Sequence, residues 1–191
     1  CFLSQLGGMN VASAQNAGAY IRITDAKFKK SLMALPAFQF QGVSAGSPQH
    51  LKIGKDLFDV FRNDMEVSGY FDFIKPDAFL EDTGKTGLRP VGQEQNGFNF
   101  SSWKQISTDF LVRVGYRING DDLSVDTYTY FVPQAKLVLG KTYRAKVGDT
   151  RTLAHSFAND VIKELTGTKG MFLSRIVTSR STKPGQKEIF I

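Results

Sequence analysis

The amino-acid sequence is poor in cysteine and histidine. Its 191 residues include one Cys and two His. A single thiol can form neither an intrachain disulfide nor a Cys-x-x-Cys redox or zinc motif, because each of these needs two sulfur atoms. The sequence also lacks a run of about eighteen apolar residues, the pattern of a membrane-spanning helix. These absences exclude a disulfide scaffold and a thiolate metal site, and they leave no helical membrane span to predict.

The sequence does contain enough apolar side chains for a folded core. Apolar residues make up 41% of the chain, aromatic residues 12% and charged residues 22%, and sixteen residues are Phe. This composition is typical of globular rather than disordered chains. A length of 191 residues hardly exceeds one domain, so we expect a single compact core.

The net charge of +6 is concentrated in the last third of the chain. Residues 1–135 carry 13 basic and 14 acidic side chains, whereas residues 136–191 carry 11 and 4. Positive charge can attract nucleic acid or anionic lipid. Here the basic residues are spread singly over predicted strands and a helix, without an aromatic RNA-binding motif. We therefore expect a docking surface for another domain or an acidic partner, formed by Arg144, Lys146, Arg151, Lys163, Lys169, Arg175 and Arg180.

The first residues are similar to the end of an export signal. Ala12-Ser13-Ala14 has the small side chains that signal peptidase accepts on either side of a variable residue. This pattern predicts cleavage after Ala14 and a mature chain that begins at Gln15. Such a chain has no cysteine and suits an oxidising compartment. Two alternatives stay open: a linker of small residues, or an exported lipoprotein in which Cys1 is lipidated and residues 2–19 form a tether.

Hydrophobic periodicity predicts two long helices. The first begins after an N-cap at Ser47 and ends at Ser68-Gly69. Its apolar residues recur at helical spacing: Ile53, Leu57, Val60, Phe61 and Met65. The second is capped by Asp149 or Thr150 and ends at Gly167, a residue type that readily adopts the left-handed conformation. Its apolar residues are Leu153, Phe157, Val161, Ile162 and Leu165.

Alternating patterns predict strands before, between and after these helices. The strongest pattern is a hairpin, in which residues 110–118 and 123–129 flank the turn Asn119-Gly120-Asp121-Asp122. A further strand is predicted over residues 136–146. Shorter strands are predicted at 20–24, 37–42, 70–74, 172–178 and 188–191.

The element order predicts an α+β fold. We expect a mixed, largely antiparallel sheet of five to six strands, with the two main helices packed on one face. Residues 75–100 are rich in glycine, proline and charge and are predicted to form a long surface loop. One or two helical turns, capped by Ser101 or Ser102, would follow it. The pattern alone leaves the strand order open.

Motifs for catalysis are weak. Gly84-Lys85-Thr86 and Gly140-Lys141-Thr142 each lack the earlier glycine that a phosphate loop requires. His50 and His155 stand singly on the predicted helices, where a surface or capping role is favoured over metal binding. Two acidic pairs fall in a predicted loop and turn, where aspartate favours local backbone hydrogen bonds: Glu81-Asp82 and Asp121-Asp122. The sequence therefore predicts no enzyme activity, no metal site and no cofactor.

The most distinctive residues lie between Leu153 and Ile176. They include Ala154-His155, Asn159-Asp160-Val161, Glu164-Leu165-Thr166-Gly167, Lys169-Gly170-Met171-Phe172 and Ser174-Arg175-Ile176. Earlier segments add to the pattern: Tyr20-Ile21-Arg22-Ile23, Pro36-Ala37-Phe38 and Val67-Ser68-Gly69-Tyr70-Phe71. Together these segments resemble the family of TolB amino-terminal domains, which belong to the periplasmic Tol-Pal system of Gram-negative envelopes. The sequence departs from that family where three lysines follow the first predicted strand: Lys27, Lys29 and Lys30.

The resemblance implies a domain organisation and partners. A signal-peptide remnant at 1–14 would precede an α+β domain at 15–174, similar in type to anticodon-binding domains. Residues 175–191 would begin a β-propeller that binds a Pal-type lipoprotein. The N-terminal segment would bind the carboxy-terminal domain of a TolA-like protein by strand addition, through Tyr20, Ile21, Arg22, Ile23, Thr24 and Asp25. The alternative is that this segment only completes its own sheet.

The function implied by the resemblance is that of a periplasmic, non-enzymatic adaptor. It would link a TolA-like inner-membrane protein to a Pal-type outer-membrane lipoprotein and support envelope integrity and constriction during cell division. Nucleic acid and a direct membrane span are not expected. The alternative function is a lipid-anchored periplasmic regulator of envelope or peptidoglycan synthesis with a similar α+β domain.

Overall fold

The structure is a computed structural model. It describes residues 29–42, 46–174, 178–183 and 186–190. The predicted signal-peptide cleavage site and the predicted strand at 20–24 lie outside the described residues.

Six strands form one mixed sheet. They are β1 (Ser31–Ala34), β2 (Gln39–Phe40), β3 (Phe71–Phe73), β4 (Phe110–Asn119), β5 (Asp122–Phe131) and β6 (Lys136–Lys146). The spatial order is β3-β1-β4-β5-β6, and β2 pairs with β4 farther along that strand. β1 is parallel to both β3 and β4, whereas β4, β5 and β6 form an antiparallel meander. No pattern in the sequence predicted β1, whereas the hairpin β4–β5 and the third meander strand β6 were predicted.

Both predicted long helices are confirmed. α1 spans Pro48–Val67, and the side chain of Ser47 caps it by accepting a hydrogen bond from the His50 amide at 3.2 Å. A short helix α2 spans Phe100–Gln105 and is capped by Asn99, not by the predicted serines. α3 spans Thr150–Thr166 and ends at Gly167. That glycine has a φ of 75°, a left-handed conformation that is costly for residues with a Cβ atom.

α1 and α3 pack against each other on one face of the sheet, as predicted. At their contact the rings of Phe61 and Phe157 stack with centroids 4.3 Å apart. Tyr143 of β6 reaches the Phe157 ring from the sheet, at 5.8 Å. Parallel β1 and β3 require a crossover connection, and α1 lies within it. The main core therefore lies between the two helices and this face of the sheet. The α+β prediction is confirmed.

The opposite face of the sheet is partly covered by the segment over residues 75–107. The interpretation of residues 75–100 as a surface loop was wrong in this respect, because Leu88 and Phe98 are buried there. Trp103 of α2 is 1% exposed and packs with Leu111 and Tyr130 in a second, smaller core. Leu88 and Phe98 are isolated in a glycine-rich stretch, so they show no periodicity that would reveal their burial.

The chain after α3 differs from the predicted strand at 172–178. Residues 171–174 form a turn, in which the Ser174 amide donates to the Met171 carbonyl at 2.9 Å. Residues 175–177 lie outside the described part of the chain. β7 (Thr178–Lys183) and β8 (Gln186–Phe190) then pair with each other as an antiparallel hairpin, a two-stranded sheet of their own.

Candidate functional site

The predicted partner-binding residues precede an interior strand in the sequence. Tyr20, Ile21, Arg22, Ile23, Thr24 and Asp25 lie outside the described residues, whose first member is Lys29. β1 begins two residues later and is held between β3 and β4. The Ser31 amide donates to the Tyr70 carbonyl at 2.9 Å, and the Leu32 amide donates to the Asp109 carboxylate at 2.8 Å. β1, the first strand after the predicted binding segment, is therefore hydrogen-bonded on both sides.

Buried Asp64 and half-buried His155 form a pair between the two long helices. The Nδ1 atom of His155 lies 2.6 Å from Oδ2 of Asp64, and their side chains are 15% and 4% exposed. The prediction of a surface or capping role for His155 was wrong. The two residues are 91 positions apart, so no local pattern in the sequence could have joined them.

The electrostatics of this pair follow from its burial. Burial raises the pKa of Asp64, and the hydrogen bond and charge of His155, together with the charge of Arg151, oppose that rise. Nearby hydroxyls are already committed to backbone carbonyls: Ser156 donates to Thr152 and Ser68 donates to Met65. The pair therefore acts as a link between α1 and α3.

Arg113 organises the segment that covers the second face. It is 1% exposed, and its Nη2 atom donates to the carbonyls of Thr83, Thr86 and Gly87 at 3.1, 2.6 and 2.9 Å. Its Nε atom donates to the Gly87 carbonyl at 3.2 Å. Burial lowers the pKa of Arg113 to about 10, and Glu81 and Glu94 partly offset that effect. The guanidinium thus holds a glycine-rich loop against the sheet, a role that the sequence did not reveal.

A second polar link joins β6 to α3. Oδ2 of Asp160 accepts hydrogen bonds from Lys141 Nζ and from the Tyr143 hydroxyl, both at 2.6 Å. Burial alone would raise the pKa of Asp160, but these two donors outweigh it and lower the pKa. Lys141, noted in a phosphate-loop-like triplet, is therefore part of an ion pair that fixes the edge strand on the helix layer.

The other candidates take local roles. The ring of His50 lies 5.2 Å from that of Phe40. Lys85 pairs with Asp82 at 2.9 Å, and Asp122 pairs with Lys146 at 2.6 Å. Within the described ranges, no group of three or more His, Cys, Asp or Glu side chains could hold a metal ion. A helix long and apolar enough to cross a membrane is likewise missing from the part of the chain that the structure describes.

Comparison with known proteins gives consistent matches. The sequence matches the profile of the TolB amino-terminal domain over residues 19–136. It is 35% identical over 139 residues to the Tol-Pal system protein TolB of Syntrophotalea carbinolica, covering 73% of this chain and 31% of the relative. It is 30% identical over 171 residues to that of Desulfosudis oleivorans, covering 90% and 37%. The chain thus spans about a third of the length of these curated relatives.

The fold also matches a solved structure. The crystal structure of TolB from Acinetobacter baumannii aligns with a TM-score of 0.57 and 17% identity, covering 79% of this chain and 32% of that one. At that identity the likeness supports the fold alone. The family profile ends before Leu153–Ile176, where the sequence looked most distinctive, while the Desulfosudis oleivorans alignment extends beyond the profile. With 19–136 matched by the profile and relatives at 30% identity or more, the chain belongs to the TolB amino-terminal domain family.

Proposed function

We propose that this chain serves the Tol-Pal system as a non-enzymatic adaptor domain of the cell envelope. The observation that carries the proposal is the family match over residues 19–136. Curated relatives that bear the name Tol-Pal system protein TolB support the same assignment. In this role the chain binds protein partners in the periplasm and links an inner-membrane protein of the TolA type to an outer-membrane lipoprotein of the Pal type.

The TolA-type partner is bound by the segment Tyr20–Asp25. The segment alternates bulky and polar side chains, so one face of an added strand would present Ile21 and Ile23 to pockets on the partner. Main-chain hydrogen bonds to the partner's sheet edge would supply affinity. The described structure supports this arrangement, because β1 follows within a few residues and is anchored on both sides. Because β1 is held in the sheet, the position at which the binding segment joins the domain is defined.

The remaining domain organisation is part of the same proposal. Residues 1–14 are the end of a signal peptide, 15–174 form the adaptor domain and 175–191 begin the propeller. The separate β7–β8 hairpin is compatible with that last boundary. The Pal-type lipoprotein binds the propeller, so the 191-residue chain alone should not bind it.

The test is titration of the 191-residue chain against a TolA carboxy-terminal domain by calorimetry. Replacing both Ile21 and Ile23 by serine should weaken binding at least tenfold, because each buried isoleucine contributes about 1.5–3 kcal/mol. Deleting residues 15–24 should abolish binding. The matched control is Val91→Ser, which removes an apolar side chain that is 64% exposed on the loop segment.

Thermal melts distinguish lost contact from lost folding. The melting temperature should stay nearly unchanged in the serine variant and in the deletion. Unaltered affinity in the deletion would reject the proposed binding segment. A fall in melting temperature together with affinity would instead show that the segment completes its own sheet.

A further inference from the structure

A row of polar side chains crosses the meander near the β4–β5 turn. Arg117 of β4 is in register with Ser124 of β5, and Ser124 is in register with Arg144 of β6. The next row, Tyr116, Val125 and Tyr143, is buried against the helices. Because side chains alternate along a strand, the arginine row points to the opposite face. Two guanidinium groups therefore flank a serine hydroxyl on the sheet face away from α1 and α3.

This row lines a cleft of about 690 Å³ that has an excess of positive charge. Its cations are Arg117, Arg144 and Lys146, and its one acidic side chain is Asp122. Lys146 pairs with that aspartate at 2.6 Å. Arg117 pairs with Asp126 at 2.7 Å, beside the cleft. Arg144 is exposed and has no acidic partner among the described residues, so it is the cation of the cleft whose charge the fold leaves unbalanced.

The same row ends at a free edge of the sheet. β6 is the outermost strand in the spatial order, and within the described ranges no strand pairs with its outer side. It is eleven residues long, mostly exposed, and carries Lys136, Lys141, Arg144 and Lys146 without any acidic residue. An unpaired strand edge presents backbone donors and acceptors to an added strand. In such a pairing, the residue opposite Arg144 would extend the row by one position.

Charge decides which strand the edge can take. Lysine on an edge strand protects against pairing with like strands, and a second β6 would place basic side chains opposite basic side chains. An acidic strand would place carboxylates opposite the basic side chains of β6, and opposite charges that face each other across strands are stabilising. The edge therefore discriminates against a second copy of this chain and in favour of an acidic extended segment.

We propose that the outer edge of β6, over Gly140–Lys146, binds an extended acidic segment of a partner protein as an added strand, with a carboxylate opposite Arg144. This surface is distinct from the Tyr20–Asp25 segment and does not depend on its role. There the chain would donate a strand, whereas at β6 it would accept one.

The test uses the 191-residue chain and fluorescein-labelled nine-residue peptides, with binding followed by anisotropy. The probe alternates Val and Glu, and a matched peptide alternates Val and Lys. A third peptide keeps the Val-Glu sequence but is N-methylated at every second residue, which removes the amides that a strand ladder needs. The Val-Glu peptide should bind, the Val-Lys peptide should bind at least tenfold more weakly, and N-methylation should abolish binding.

Arg144→Glu supplies the charge reversal. It should weaken binding of the Val-Glu peptide about tenfold, because an exposed ion pair accounts for up to about fivefold and repulsion adds to it. The same variant should gain affinity for the Val-Lys peptide. Lys104→Glu, an exposed lysine on α2, is the matched control and should leave both affinities within about twofold. Should Arg144→Glu melt at a lower temperature, Arg144→Gln gives the same comparison without repulsion.

Amide hydrogen exchange locates the bound strand. The Val-Glu peptide should slow exchange of amides within Gly140–Lys146 and leave β3 unchanged. Absence of binding, equal affinity of Arg144→Glu, or protection elsewhere would overturn the proposal. So would slow exchange along the outer β6 amides before peptide is added, which would show that the chain covers its own edge. Arg144-dependent dimers in sedimentation would assign the edge to a second copy instead.

Discussion

The pair of Asp64 and His155 allows a prediction with a calculable size. In the variant His155→Ala the carboxylate of Asp64, whose side chain is 4% exposed, loses its hydrogen-bond partner. A buried carboxylate left without its hydrogen-bond partner costs about 1–3 kcal/mol or more, because it stays desolvated. Against a total stability of about 5–15 kcal/mol for a domain, this is a large loss. Urea unfolding followed by the fluorescence of the buried Trp103 would measure it.

The pH dependence identifies the carboxyl group as the cause. Burial raises the pKa of Asp64, and His155 is the main group that opposes the rise. A carboxyl whose folded pKa is raised contributes most to stability below its unfolded pKa, and the contribution is lost as pH rises through the folded value. The His155→Ala variant should therefore become more stable as pH falls through the folded pKa of Asp64 towards its unfolded value, by up to about 1.4 kcal/mol per pH unit.

A double variant provides the control. Asp64→Asn combined with His155→Ala has no carboxyl group at this position, so it should lack the additional rise in stability on acidification. It should also recover part of the stability lost in the single variant at pH 7.5. Parallel pH dependences of the single and double variants, or a loss below about 1 kcal/mol in the single variant, would refute the reasoning.

Two further predictions concern the hydrogen bonds of Arg113 and the close packing at Gly54. Arg113→Lys keeps the charge but cannot reproduce the fork of donors, so we expect a loss of about 2–4 kcal/mol in urea unfolding. The control Arg144→Lys, at an exposed position, should change stability by less than about 0.5 kcal/mol. Gly54→Ala would ordinarily stabilise a helix by about 1 kcal/mol, but its Cβ atom would collide with the Tyr116 side chain. Gly54→Ala should therefore lower stability by about 1–3 kcal/mol. The control Gly148→Ala, with open space around the added Cβ atom, should not lower stability. Equal melting temperatures of the two variants would contradict this account.

Local patterns were sufficient for some elements and insufficient for others. α1, α3 and the β4–β5 hairpin have long runs of matched periodicity, so the sequence predicted them. β1 has four residues and follows a basic stretch, and its partners begin about 40 and 80 positions later. A strand of that length is defined by its neighbours rather than by its own residues.

Polar residues were the least predictable part of the molecule. Arg113 lies in an apolar strand pattern, where a charged residue normally points to solvent, yet it is buried because carbonyls of the covering loop surround it. In the sequence, His155 has the pattern of a surface histidine on a helix. Only the packing of α1 against α3 brings Asp64 beside it. The burial and the partners of these two residues depend on distant segments, so the sequence predicts only the average behaviour of an arginine or a histidine.

The sequence by itself determined the class of the fold, the two long helices, the meander and the family, because these rest on periodicity over ten or more residues and on contiguous motifs. Only the tertiary structure decided the strand order, the cover on the second face, the Asp64–His155 link and the row of Arg117, Ser124 and Arg144. Each of these depends on the register between distant segments, and register is fixed by packing of the whole core rather than by any one stretch of chain.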